Sequence, residues 1–388
     1  MGTPLHTFAA PEEKRLASPT EQPTERPEAK VLLVGDFPPP HGGVAVHVEL
    51  LQMAIRRAGG QADVLDIGKG QVPADGVHPA GGYGSFAGQL ASFAARGFQI
   101  HLHTSGANPK SWMLASACAA AGRISGKPSF ITLHSGLGPE WLEGSAARRT
   151  VAQLVLKQFG LVIAVSDPIA RTARGLGVVE EKLLIAPAFS AAWLEAGELP
   201  AAAAGLREEA SPLICAMLAH GQVYGAEYLL PAFAKVLSER HSARLVVFGP
   251  STRPHELAPL IDRLAPTAGK QICGLGELGR PQALAVIRAS DVFVRPTLAD
   301  GDSVSVREAL ALGRMVVCTS VGTRPAGVLL VPPGDVDGLF AGLMAAIARL
   351  DTGELAAPPE DTNLMSLLLP RYGLIAPEQA GRGAERAA

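Results

Sequence analysis

The feature that most constrains this chain is an alternation, repeated along most of its length, of short unbroken apolar runs with stretches of helical periodicity. Val31-Leu32-Leu33-Val34 is apolar at every position, as a strand covered on both faces must be. A Pro/Gly loop, Phe37-Pro38-Pro39-Pro40-His41-Gly42-Gly43, follows it. Val44, Val48, Leu51 and Ile55 then recur at helical spacing, which predicts an amphipathic helix. Further strand-like runs fall at 62–65, 98–103, 129–133 and 161–165. The last ends in Ser166-Asp167-Pro168, a capping residue and a first-turn proline that open another helix. Alternation of this kind predicts a doubly wound parallel sheet that binds ligands at the C-terminal ends of its strands.

The pattern breaks near residue 190 and resumes with a second series of runs at 213–218, 244–248, 270–273, 291–294 and 315–318. The predicted organisation is therefore a Pro-rich arm without fixed structure (1–29), a first Rossmann-like α/β domain (30–190), an Ala-rich acidic linker without a strand (191–212), a second Rossmann-like domain (213–350) and a polar tail (351–388) with one short helix near Met365. A length of 388 residues fits two domains of roughly 150 residues each.

Composition excludes several classes. A net charge of -2 argues against an electrostatic nucleic-acid binder, and 5% aromatic residues argue against base-stacking platforms. Cys118, Cys215, Cys273 and Cys318 are far apart in apolar runs, so they read as reduced packing residues of a cytoplasmic protein. The first 29 residues have no apolar core of a signal peptide, and no uninterrupted apolar stretch predicts a membrane span. Residues 144–159 read as a helix with Arg148, Arg149 and Lys157 beside Val151, Leu154, Val155 and Phe159. That pattern fits either a helix packed on its sheet with a solvated basic edge or a peripheral contact with the inner face of a membrane.

The segment Asp300-Gly301-Asp302-Ser303-Val304-Ser305-Val306-Arg307-Glu308 follows the 291–294 run and opens a helix. The free N–H groups at Ser303, Val304 and Ser305 suit an anion, and the carboxylates of Asp300 and Glu308 suit sugar hydroxyls. An ordinary capped helix with solvated acids fits the same residues. His134 ends the 129–133 run, either as a core histidine or facing a ligand. His101 and His103 share one face of a strand, but no third ligand lies nearby in sequence, so a metal is not expected. Arg295 ends the 291–294 run. It is placed either to grip a phosphate with its planar fork or to hold the loop through Asp300 or Asp302. Arg253, in the loop after 244–248, is the reserve cation.

Taken with Met315-Val316-Val317-Cys318-Thr319-Ser320-Val321-Gly322, Val331-Pro332-Pro333-Gly334-Asp335, Val165-Ser166 and Lys182-Leu183-Leu184-Ile185-Ala186-Pro187, the Asp300–Glu308 motif resembles that of the retaining family 4 glycosyltransferases of GT-B fold. The resemblance covers roughly 30–350. It implies two Rossmann-like domains facing a central cleft and transfer of a sugar from a nucleotide diphosphate sugar to a lipid-linked or growing polysaccharide acceptor. It also implies that Glu308 holds the donor ribose, that Asp300 and His134 contact the donor sugar, and that the helix start holds the diphosphate. Gly42 and Gly43 would lie where the first domain closes over the phosphates, or form a plain turn. No cofactor is implied, and activity is expected to survive chelation. The family's usual Arg and Lys fall on Ala219 and Tyr224 here, so a second cation source is needed. The rival readings are a GT-B protein that binds a nucleotide sugar or glycan without catalysis, and a sugar-nucleotide epimerase.

Overall fold

The computed structural model describes residues 29–39, 41–70, 72–134, 141–219, 221–354, 356 and 364–374. The expected arm 1–29 lies outside the described residues apart from Ala29, as does the end of the tail, 375–388.

The first domain runs β1 (Lys30–Gly35), α1 (Gly43–Arg57), β2 (Gln61–Asp66), β3 (Val77–Pro79), α2 (Tyr83–Ala95), β4 (Gln99–Thr104), α3 (Pro109–Ser125), β5 (Phe130–Leu133), α4 (Ala146–Leu156), β6 (Leu161–Ala164), α5 (Asp167–Gly175) and β7 (Leu183–Ile185). Among the described residues these strands form one sheet in the order β3-β2-β1-β4-β5-β6-β7. Every strand pair in it is parallel.

The expected linker is partly helical: α6 (Ala201–Glu209) follows Pro200. Its run of alanines, strong helix formers, makes a helix where only the absence of a strand was legible. The second domain then runs β8 (Leu213–Met217), α7 (Ala226–Glu239), β9 (Arg244–Phe248), α8 (Pro254–Leu264), β10 (Ile272–Gly274), α9 (Arg280–Ala289), β11 (Val292–Arg295), α10 (Val304–Ala311), β12 (Met315–Thr319), β13 (Leu329–Val331) and α11 (Val336–Asp351). Its parallel sheet is ordered β10-β9-β8-β11-β12-β13, the doubly wound order that reverses at β8/β11.

Each sheet is coated on both faces. Val31 and Leu33 of β1 pack with α1, while Leu32 and Val34 pack with α2 and α3, so alternate side chains of one apolar run feed two cores. Phe293 likewise faces one core of the second domain, and Val292 and Val294 the other. The four cysteines are free; Cys273 is half-buried and the rest are buried.

The expected short tail helix is α12 (Leu364–Leu368). Leu364, Met365, Leu368, Leu369 and Tyr372 are buried in the first domain's core beside α1. The chain therefore returns to the first domain after completing the second, and the tail closes that domain's core.

Candidate active-site cleft

A cavity of about 310 Å³ lies between the two domains. From the first domain it is lined by residues that follow the C-terminal ends of strands: His41, Gly43, Val44 and Val46 after β1, His134 after β5, Val165 after β6 and Ala188 after β7. The second domain contributes Tyr224, Gly249, Glu277, Arg280, Arg295 and the whole Asp300–Ser305 loop, again from strand ends. The two sheets thus turn their ligand-binding edges toward each other.

The second-domain wall is built on paired charges. Arg295 closes β11, next to the point where strand order reverses. Its Nε donates to Asp300 Oδ2 at 3.0 Å. Arg324 donates to the same oxygen from both terminal nitrogens at 3.2 Å, and its Nε donates to the Thr319 carbonyl. Asp300 Oδ1 accepts from the N–H of Gly301 at 3.0 Å. Burial alone would raise the Asp300 carboxyl, but the two guanidiniums outweigh it and hold it below its usual range. Arg295 therefore anchors the loop, yet its Nη1 is buried without a partner among the described residues. Its guanidinium lies 5.3 Å from the centre of the Tyr224 ring. Arg295 thus makes a cation–π contact with Tyr224.

Glu308, the fifth residue of α10 and just over one turn into it, points its Oε1 at Arg280, which donates from Nε and Nη2 at 3.0 Å. Arg280 Nη1 reaches the Trp193 carbonyl at 2.7 Å. Burial pushes the Glu308 carboxyl up, and Arg280 only partly opposes this. A cation in the first turn of α9 runs against the helix dipole, so Glu308 is what holds Arg280 there. The first turn of α10 itself leaves the N–H groups of Val304 and Ser305 without intrahelical acceptors, as every helix start does, and both residues line the cleft. Asp302 is tied to Arg307 at 2.8 Å and shapes the loop.

One glycine fixes this loop from below. Gly322 has φ +69°, and a Cβ there would lie 2.2 Å from the carbonyl oxygen of Gly301. Thr323 N–H donates to that same oxygen at 2.8 Å. Gly322→Ala should cost about 1–3 kcal/mol from the left-handed backbone alone. Chemical denaturation reads the loss; the backbone displaced is that of Asp300 and Gly301.

The first-domain wall carries histidines. His41 N–H donates to Glu277 Oε1 at 3.4 Å, a contact across the cleft. His134 is half-buried, and its Nε2 lies 3.2 Å from His103 Nδ1. Behind it, His101 is bonded through Nδ1 to the Tyr372 hydroxyl at 2.5 Å and through Nε2 to Thr132 Oγ1 at 2.8 Å. His47 of α1 joins this group. Burial depresses all four rings; His47 is pushed down to about 4, and the others fall well below their usual value. They are neutral at neutral pH.

The structure brings Arg295, Asp300, Ser303, Val304, Ser305 and Glu308 together with Gly43 and His134 on one cleft. Gly42 caps α1 beside them, and a Cβ at Gly42 or Gly43 would meet nothing within 4 Å, so packing does not demand glycine at either position. Arg253 is not among the lining residues: it is exposed at the start of α8, where its backbone N–H bonds Glu256 and its side chain lies over Gly276. Arg280, Arg324 and His47 were missed. Arg280 opens a helix directly before Pro281, and Arg324 follows Gly322 by two residues. Neither spacing marks a ligand site without the fold.

Two parallel Rossmann-like sheets opposed across a cleft define the GT-B fold. Within it, residues 212–349, essentially the second domain, match the family described as glycosyl transferases group 1. An uncharacterized glycosyltransferase of Methanocaldococcus jannaschii is 30% identical over 116 residues, which are 30% of this chain and only 28% of that protein's length. Among solved structures, Anabaena HepE in complex with UDP-glucose superposes with a TM-score of 0.61 at 19% identity, covering 87% of this chain and 94% of its own. Sucrose-phosphate synthase of Thermosynechococcus elongatus gives 0.60 at 16% identity, covering 92% and 100%. At these identities the structural likeness speaks for the fold.

Proposed function

We propose that this chain is a retaining family 4 glycosyltransferase that moves a sugar from a nucleotide diphosphate sugar to a lipid-linked or growing polysaccharide acceptor. The observation that carries the reading is the unpartnered Nη1 of Arg295, at the switch point of the second sheet and on the same cleft wall as the first turn of α10. When the bond from the sugar to the diphosphate breaks, negative charge gathers on the departing phosphate oxygen. A preorganised guanidinium and free helix-start amides stabilise that charge where it forms. Glu308 keeps one carboxylate oxygen, Oε2, for the donor ribose while Oε1 holds Arg280. His134 faces the donor sugar from the opposite wall, and the acceptor enters over the first domain. The match of the second domain to glycosyl transferases group 1, and a structural neighbour solved with UDP-glucose, support a nucleotide-sugar donor. The chemistry assigned to these residues routes no step through a cofactor.

Thermal melting with UDP, GDP and ADP tests the reading. A nucleotide at a hundred times its Kd adds about 2.7 kcal/mol to stability. No shift with any of them, together with no sugar transfer from the matching donors, would remove the assignment. Binding without transfer to any glycan or lipid-linked acceptor would mark a binding protein.

A peripheral cytoplasmic membrane contact is part of the same proposal. Among the described residues no helix is long and apolar enough to cross a membrane. In α4, however, Val151 and Leu154 are 48% and 59% exposed, on the helix that also carries Arg148 and Arg149. The double variant Val151→Asp/Leu154→Asp should abolish co-sedimentation with anionic liposomes and leave the fold intact. Equal recovery of the unmodified chain with neutral and anionic vesicles would end the electrostatic claim.

A further inference from the structure

The histidines behind the first-domain wall do more than fill space. His47 on α1, His103 at the end of β4 and His134 after β5 each offer one ring nitrogen within 4.8 Å of the other two. Their ring centres form a nearly equilateral triangle, 5.2 Å from His47 to His103, 5.1 Å from His47 to His134 and 5.4 Å from His103 to His134. A zinc–imidazole nitrogen bond of about 2.0–2.1 Å puts each ring centre roughly 3.2 Å from the ion. Tetrahedral angles then separate the ring centres by about 5.2 Å. The ring centres already stand at the separations such a site requires.

A second, independent observation points the same way. The Nε2 atoms of His47 and His103 are both buried without a partner among the described residues. Most buried polar atoms in folded proteins are satisfied, so each orphan calls for an explanation. His47 is hydrogen-bonded to the backbone of Ala188, so its other nitrogen is fixed and Nε2 is the one left free. A backbone bond of this kind is what orients a ligating imidazole. His101, with both nitrogens engaged, stacks on His103 at 4.2 Å between ring centres and holds it in place. At the end of β1 Gly35 keeps the space open, since a Cβ there would lie 3.1 Å from His103 Cβ.

We infer that His47, His103 and His134 form a three-nitrogen site for a borderline divalent cation of the zinc or cobalt type. Imidazole-only ligation suits these ions and not magnesium or calcium. The fourth position is filled by solvent from the cleft side, where the half-buried His134 lines the cavity. The ion holds one nitrogen of His134 inside the first domain and so positions that ring toward the cleft. The inference stands on the histidine geometry and does not depend on the glycosyltransferase reading.

The test is direct metal titration of the full chain, produced without a histidine tag and stripped with chelator. One Co²⁺ per chain should bind, with the intense visible absorption of a four-coordinate centre, and Zn²⁺ should displace it. His47→Gln and His103→Gln should each weaken binding at least about tenfold while circular dichroism is unchanged. His134→Gln, at a half-buried position, serves if the buried variants do not fold. His78→Gln, a histidine outside the cluster, should bind as the unmodified chain does. Lack of saturable Co²⁺ uptake by the unmodified chain, or uptake unchanged in every folded cluster variant, would overturn the site.

Discussion

Arg295→Ala should weaken binding of a nucleoside diphosphate roughly 10- to 150-fold, the span of about 1.5–3 kcal/mol for a charge-assisted hydrogen bond, and leave binding of the bare nucleoside nearly unchanged. Turnover should fall further, on the order of 10²–10³-fold, because the charge on the leaving diphosphate is fully developed only in the transition state. The discrimination between nucleoside and diphosphate is the informative part. Arg295 has two duties: its Nε holds Asp300, and its Nη1 is unpartnered. Loss of the first duty alone would loosen the loop and weaken every ligand alike. Arg324 works against that outcome, because it grips the same Asp300 oxygen with two N–H groups and remains in the variant. Arg295→Lys keeps the charge but loses the fork, so it should recover only part of the affinity. Calorimetry with uridine and UDP, or the corresponding pair for whichever base binds, reads the difference; equal losses for the two ligands would reduce Arg295 to a loop anchor.

How far the sequence could be read is clearest at this residue. Strands buried on both faces tend to be apolar along their length, and β1, β5, β6, β8, β9, β11 and β12 were legible for that reason, whereas β4 was read despite its buried His101 and His103. The edge strands β3, β7 and β13 were not. Each spans three residues and is covered only in part, so no continuous apolar signature is demanded of it. The same logic applies to the site. Asp300, Glu308 and Arg295 are close in sequence, and the position of Arg295 at a strand's C-terminal end placed it either at the ligand crevice or on the loop. Arg280 and Arg324 reach Glu308 and Asp300 from 28 and 24 residues away, through contacts that only the folded sheet creates. The histidines divide in the same manner. His101 and His103 announce a shared face by their spacing, whereas His47 and His134 arrive beside them from α1 and β5. The short tail helix was legible, but not where it docks: Leu364, Met365 and Leu368 make a marginal five-residue helix until the first domain provides the apolar surface that they cover.

Glu308→Ala should be the most destabilising change in the cleft. The Arg280–Glu308 pair is nearly dry, with 13% and 9% of the side chains exposed. Removing the carboxylate strands Arg280 at a helix N-terminus with only the Trp193 carbonyl for company. Breaking a buried pair from one side costs about 3–5 kcal/mol. Removing both charges need not: Arg280→Met/Glu308→Leu should recover most of that stability, because the desolvation of two ions is removed with them. Nucleotide affinity should not recover in the double variant, since a ribose hydroxyl pair needs the carboxylate itself. Glu308→Gln separates the roles more gently, keeping the shape and a carbonyl for Arg280 while losing roughly 10- to 150-fold in donor affinity. The raised pKa of Glu308 fixes the direction of the pH dependence. Its folded value lies above the ordinary 4.5, so the folded state holds a proton that the unfolded chain has already released. The associated stability is fully present below pH 4.5 and is lost as pH rises through the folded value, a trend absent from Glu308→Gln. Donor affinity should rise over the same interval as the carboxylate ionises. Urea titrations and nucleotide calorimetry from pH 4.5 upward would read the two opposed slopes. Unchanged nucleotide affinity in Glu308→Gln would leave Glu308 as the counter-ion of Arg280 and nothing more.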